Sequence, residues 1–96
     1  MNQFFESLGE QWVEAAKRRG EDIAKPTLDP RVALELLELA RVAAHSQERR
    51  FAPLTSYLAG VAAERLRASK PDVDDGAIAA FIQEVRQKLE REVPGL

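Results

Sequence analysis

The stretch of this sequence best equipped for chemistry is His45-Ser46-Gln47-Glu48-Arg49-Arg50-Phe51-Ala52-Pro53-Leu54-Thr55. Pro53 suits the opening of a helix, and the first helical turn carries amide N–H groups without intrahelical partners. Those amides, with the positive end of the helix dipole, favour an anion, and Thr55 adds a hydroxyl in the same turn. Arg49 and Arg50 lie just before that start and can grip a phosphate through paired guanidinium hydrogen bonds. His45 follows Arg41 by one turn and is placed to face the same corner. The expectation is that His45, Arg49, Arg50 and Thr55 bind an anionic group, with a phosphate-bearing small molecule or nucleotide foremost. The competing reading is structural: a histidine suits the negative end of a helix, and loop arginines sit in water.

No other residues assemble into a reaction centre. One histidine rules out a two-histidine metal motif, and the lack of cysteine removes thiolate ligands, disulfides and a thiol nucleophile together. Asp74 and Asp75 are adjacent, which fits helix capping better than acid/base catalysis. Ser46, Ser56 and Ser69 lack a nucleophile-elbow context, and no glycine-rich phosphate loop exists. The chain is therefore expected to be non-enzymatic and to need no metal or cofactor.

The elements that would position the corner follow from punctuation and periodicity. Helix one is expected over about Gln3 to Arg19, with Phe4, Phe5, Leu8, Trp12, Ala15 and Ala16 on an arc of roughly 120°. Gly20 ends it, and the connection to Leu28, containing Pro26, is the longest and the one expected to be most mobile. Asp29-Pro30 opens helix two, whose Val32, Ala33, Leu36, Leu37, Leu39, Ala40, Ala43 and Ala44 cover nearly half its circumference. Glu35, Glu38, Arg41 and His45 form a narrow polar strip, flanked by Leu34 and Val42, so helix two is expected to be central. Helix three is expected from Pro53 to about Ala68, with Leu54, Leu58, Val61, Ala62 and Leu66 as its core stripe and Tyr57 at the edge. Its other side carries the small residues Ser56, Gly60 and Ala63, which implies close packing inside the bundle or an interface with another chain. Helix four starts near Asp74, with Val73 and Ile78 as a hydrophobic staple. Ile78, Phe81, Ile82, Val85 and Leu89 form its stripe, and Pro94-Gly95 stops it.

These elements predict an all-α, compact four-helix domain. Its length of 96 residues fits one domain over 1–96. The core is expected around Trp12, Leu36, Leu39, Leu58, Phe81 and Val85. A net charge of −2 provides no field to draw the chain onto nucleic acid, and Lys17-Arg18-Arg19 is bracketed by Glu10, Glu14, Glu21 and Asp22. No apolar run approaches the roughly 20 residues of a membrane span, and Asn2 to Glu6 lacks a signal-peptide pattern. The expectation is a cytoplasmic setting with no nucleic-acid or membrane partner.

The run Leu39-Ala40-Arg41 through Ala44-His45, then Arg49, then Ala52-Pro53-Leu54-Thr55 through Leu58 and Gly60, resembles a small, mostly actinobacterial helical domain of unknown function. That domain occurs alone or fused to the C-terminal end of molybdenum cofactor guanylyltransferases. Trp12 matches a tryptophan common in its first helix, while Val42 replaces a usual acidic residue and Arg50 a usual proline. The resemblance implies an accessory domain in molybdopterin-nucleotide synthesis or delivery, with a molybdenum cofactor enzyme as protein partner, and no mechanism. The alternative is a general helical protein-interaction module, able to form a homodimer and unrelated to molybdenum.

Overall fold

The computed structural model describes residues 2–92, so the expected stop at Pro94-Gly95 lies outside the described residues. The fold is all-α. Four helices follow in order: α1 Gln3–Arg18, α2 Pro30–Ser46, α3 Phe51–Ser69 and α4 Asp75–Glu92. The chain divides into two units, Met1–Pro30 and Arg31–Leu96.

In the first unit, Asn2 caps α1 by accepting a hydrogen bond at Oδ1 from the Phe5 amide at 3.3 Å. Gly20, at φ 80°, terminates it in the left-handed conformation that glycine adopts without strain. The amides of Gly20 and Glu21 then satisfy the carbonyls of Lys17 and Ala16. The connection that follows has no regular structure, yet it is tied back to α1. A Cβ on Gly9 would sit 2.7 Å from the Pro26 carbonyl oxygen, so the absence of a side chain lets the connection lie against the helix. Lys25 Nζ donates to Glu6 Oε2 at 2.8 Å beside that contact. This hydrogen bond, reinforced by the lysine charge, holds the Glu6 carboxyl below the usual carboxylate range.

In the second unit, α2 begins at Pro30 as its sequence implies. Asp74 Oδ1 accepts from the Ala77 amide at 2.8 Å and caps α4. Asp75 has a separate task, accepting from Arg67 Nη2 at 2.8 Å across to α3. The core is built from Leu39, Ala63, Ile78 and Ile82, with Val32, Leu36, Ala59, Leu66, Val73 and Leu89 packed around it. Val73 against Ile78 places both members of the expected staple in that cluster. Val42 and Ala43 are also buried, which moves Val42 from the flank of the polar strip to the inside of α2.

The expected core needs correction. Leu36 and Phe81 are half-buried and Leu39 is buried, but Trp12, Leu58 and Val85 are exposed. Leu37, expected on the inner side of α2, is also exposed. For α3 the reason is rotational. Its core-facing residues are Ala59, Ala63 and Leu66, whereas the bulky apolar residues Leu54, Tyr57 and Leu58 face solvent. Leu39, Ile78 and Ile82 already supply the volume from α2 and α4, so α3 must contribute small side chains for the helices to close to interior density. The helix also begins at Phe51, two residues earlier than Pro53 predicts.

Candidate interaction surface

The outward turn of α3 creates the main surface feature of the second unit. Leu54, Tyr57 and Leu58 are 61%, 72% and 67% exposed, an unusual display of bulky apolar side chains on one helix. Leu58 and Thr55 continue into an open groove of about 280 Å³, whose other wall is Phe81, Val85 and Leu89 of α4. Ala59 and Ala62 form part of its lining, because alanines between two rows of larger residues leave a furrow. The chemistry of this groove is apolar contact. Its only polar side chain is the Thr55 hydroxyl.

Beside the apolar surface runs a chain of charges linking α2 to α4. Arg86 Nη2 donates to both carboxylate oxygens of Glu35, at 3.2 and 3.1 Å, and Arg86 Nη1 donates to Glu90 Oε1 at 2.6 Å. Glu90 also meets Arg41 at 3.6 Å, and Arg41 Nε donates to Glu38 at 3.0 Å. The hydrogen bond from Arg86 holds the Glu90 carboxyl below the usual carboxylate range, with the charges of Arg86 and Arg41 adding to it against burial. The same bond, with the one Arg86 donates to Glu35, raises the Arg86 pKa further above its already high value against burial. Both terminal nitrogens of Arg86 are engaged, while its buried Nε has no hydrogen-bond partner, and the network ties α2 to α4. The polar strip Glu35, Glu38, Arg41 was visible in the sequence as a strip. Its partners on α4 were not singled out, although Arg86 and Glu90 stand at i,i+4, the spacing of a helical ion pair.

The four residues of the expected anion corner are distributed differently. His45, Arg49 and Arg50 are exposed, whereas Thr55 turns into the apolar groove. Arg50 pairs with its neighbour Glu48, Nε to Oε1 at 3.2 Å. Because α3 starts at Phe51, the Phe51 amide donates to the Glu48 carbonyl at 2.9 Å and the Ala52 amide to the Arg49 carbonyl at 3.1 Å. Pro53 has no N–H to offer. With the helix beginning at Phe51, Pro53 stands at its third position rather than its first, and the Arg50 guanidinium faces a carboxylate.

The small residues of α3 also separate. Ala63 is buried in the core, Ser56 is half-buried, and a Cβ added at Gly60 would meet nothing within 4 Å. Gly60 borders a shallow surface with Tyr57 and Val61, so no helix of the described residues approaches it closely. In the first unit, Phe4 and Trp12 are 66% and 57% exposed, and Phe4 meets Phe5 edge to face at 5.1 Å. Trp12 lines a small hollow with Leu8, Gly9 and Pro26.

Among the described residues no group of three or more His, Asp or Glu side chains converges to hold a metal ion, and no helix is long and apolar enough to cross a membrane. No curated protein and no solved structure matches the chain. A family profile does match, over residues 6–94, and so takes in all of α2, α3 and α4 together with most of α1. The chain belongs to the family described as domain of unknown function DUF6457.

Proposed function

We propose that this chain is a non-enzymatic helical accessory module that works by docking through the apolar side chains on the outer face of α3. The observation that carries the reading is the orientation of that helix: Leu54, Tyr57 and Leu58 are in solvent while Ala59, Ala63 and Leu66 face the core. A helix stabilised only from within would gain by burying its leucines. Bulky apolar residues held outward on a well-ordered scaffold are the usual raw material of an interface.

The resemblance of the Leu39 to Ala63 stretch supplies the setting, cytoplasmic molybdopterin-nucleotide synthesis or delivery, with a molybdenum cofactor enzyme as the protein partner. The test is titration of the purified chain into a molybdenum cofactor guanylyltransferase from the same organism, read by calorimetry. Saturable binding that Leu58→Glu abolishes supports the reading. Absence of binding by the wild-type chain removes the molybdenum setting. A second reading, self-association without any link to molybdenum, draws on the same exposed face.

A further inference from the structure

The charges beside the groove are arranged differently from those elsewhere on α4. Arg86 and Glu90, facing α2, are paired with each other and with Glu35 and Arg41. Glu84 and Lys88 lie on one flank of the Val85 strip, opposite the Arg86 side and one turn apart, and both are exposed. Neither is joined to any other described residue by an ion pair or hydrogen bond. The rim of the apolar strip thus carries one free acid and one free base, one helical turn apart.

That order is self-complementary. When two copies of α4 cross in antiparallel fashion about a two-fold axis level with the midpoint of Glu84 and Lys88, each glutamate lies beside the lysine of the other copy. Val85 then sits next to the axis, with Phe81 and Leu89 to either side of it and Leu58 reaching in from α3. An isologous interface requires a patch that matches itself under rotation, and an apolar strip bordered by opposite charges in mirrored order meets that condition. A strongly acidic or basic partner would find no matching field here. We infer that the groove between α3 and α4 is the interface of a homodimer, in which Glu84 and Lys88 of each copy pair reciprocally across a two-fold axis. The inference deepens the docking function proposed above and rests on it.

The experiment is a concentration series up to about 1 mM, the range in which even a weak association shows, followed by sedimentation for the wild-type chain and for Glu84→Lys and Lys88→Glu. The wild type is expected to reach dimer mass. Each single variant places like charges opposite each other twice and should weaken the dimer at least ~10-fold. Mixing the two variants in equal amounts should restore dimer mass, because every contact in the mixed pair is again between opposite charges. Circular dichroism of each variant confirms that the helices are retained. A wild-type chain that stays monomeric throughout overturns the inference. So does a dimer that the single variants leave unchanged, or one that the mixture fails to rescue. Docking by the same face onto a different protein remains measurable on its own: Leu58→Glu would abolish calorimetric binding to that protein even where the wild type is monomeric.

Discussion

The two faces of α3 obey opposite rules. Its inner face is made of alanines and one leucine, Ala59, Ala63 and Leu66, packed against the core that Leu39, Ile78 and Ile82 fill. Its outer face is made of Leu54, Tyr57 and Leu58 and contacts solvent. In a helix whose only role is to hold up a fold, the larger residues face inward, where each removes more apolar surface from water. Here the volume comes from α2 and α4, and α3 lies close because its contact residues are small. The bulk on its other side adds little to the core, and that is the basis of the docking role proposed for it.

The strongest way to break this comparison is to empty the core. Ile78 is fully buried, so Ile78→Ala should cost about 2–5 kcal/mol in a chemical-denaturation experiment. A much smaller loss would mean that the assigned core does not carry the stability. Next comes the charge chain between α2 and α4. Arg86→Ala removes the partner of Glu35, whose side chain is only 12% exposed, and should cost about 1–3 kcal/mol. Gly60 changes sign relative to the close packing that its position in a small stripe implied. With open space around it, Gly60→Ala should stabilise the fold by about 0.5–1 kcal/mol through helix propensity. Destabilisation instead would show that something does approach that backbone.

Acid sharpens the same picture. Glu90 has its carboxyl pKa lowered in the folded state, so its contribution is fully present above the pKa it has when unfolded and is lost as pH falls through the lower folded value. Glu6 in the first unit behaves alike through Lys25. Stability should therefore decline on acidification below about pH 4. A carbon-detected titration should give Glu90 a midpoint below that of a free glutamate, returning towards it in Arg86→Gln. An unshifted midpoint in the wild type would mean that the Arg86 hydrogen bond is not held in solution.

Much of the architecture was legible in the sequence. Gly20, Asp29-Pro30, Pro53 and Asp74 punctuate the chain, and the elements predicted are the four helices observed, to within two residues at each described boundary. What was hidden is the rotation of α3. That helix is apolar on two sides, one bulky and one small, and periodicity alone cannot say which side meets the core. Choosing it requires knowing how much volume α2 and α4 bring, a property of all three helices at once. The two-residue difference at its start had a similar origin. Pro53 is tolerated anywhere in the first turn, so it does not by itself mark where the turn begins. With the start at Phe51, the first turn is opened by the Phe51 and Ala52 amides, which are bonded to the Glu48 and Arg49 carbonyls, and Pro53 stands third. The joint variant Arg49→Ala, Arg50→Ala should accordingly leave stability within about 0.5 kcal/mol of wild type, as for surface changes generally.

The smallest expected stability effect belongs to the residue on which the functional reading depends most. Leu58 was expected to be a core residue costing several kcal/mol on truncation; at 67% exposed, Leu58→Ala should change stability by no more than about 0.5 kcal/mol. The most direct test is therefore Leu58→Glu, with thermal unfolding and association measured on the same sample at low protein concentration and at high. The account predicts an unchanged melting temperature at low concentration and a loss of association at high concentration. A collapse in melting temperature at low concentration would place Leu58 in the core, and retained association would remove the outer face of α3 from the interface.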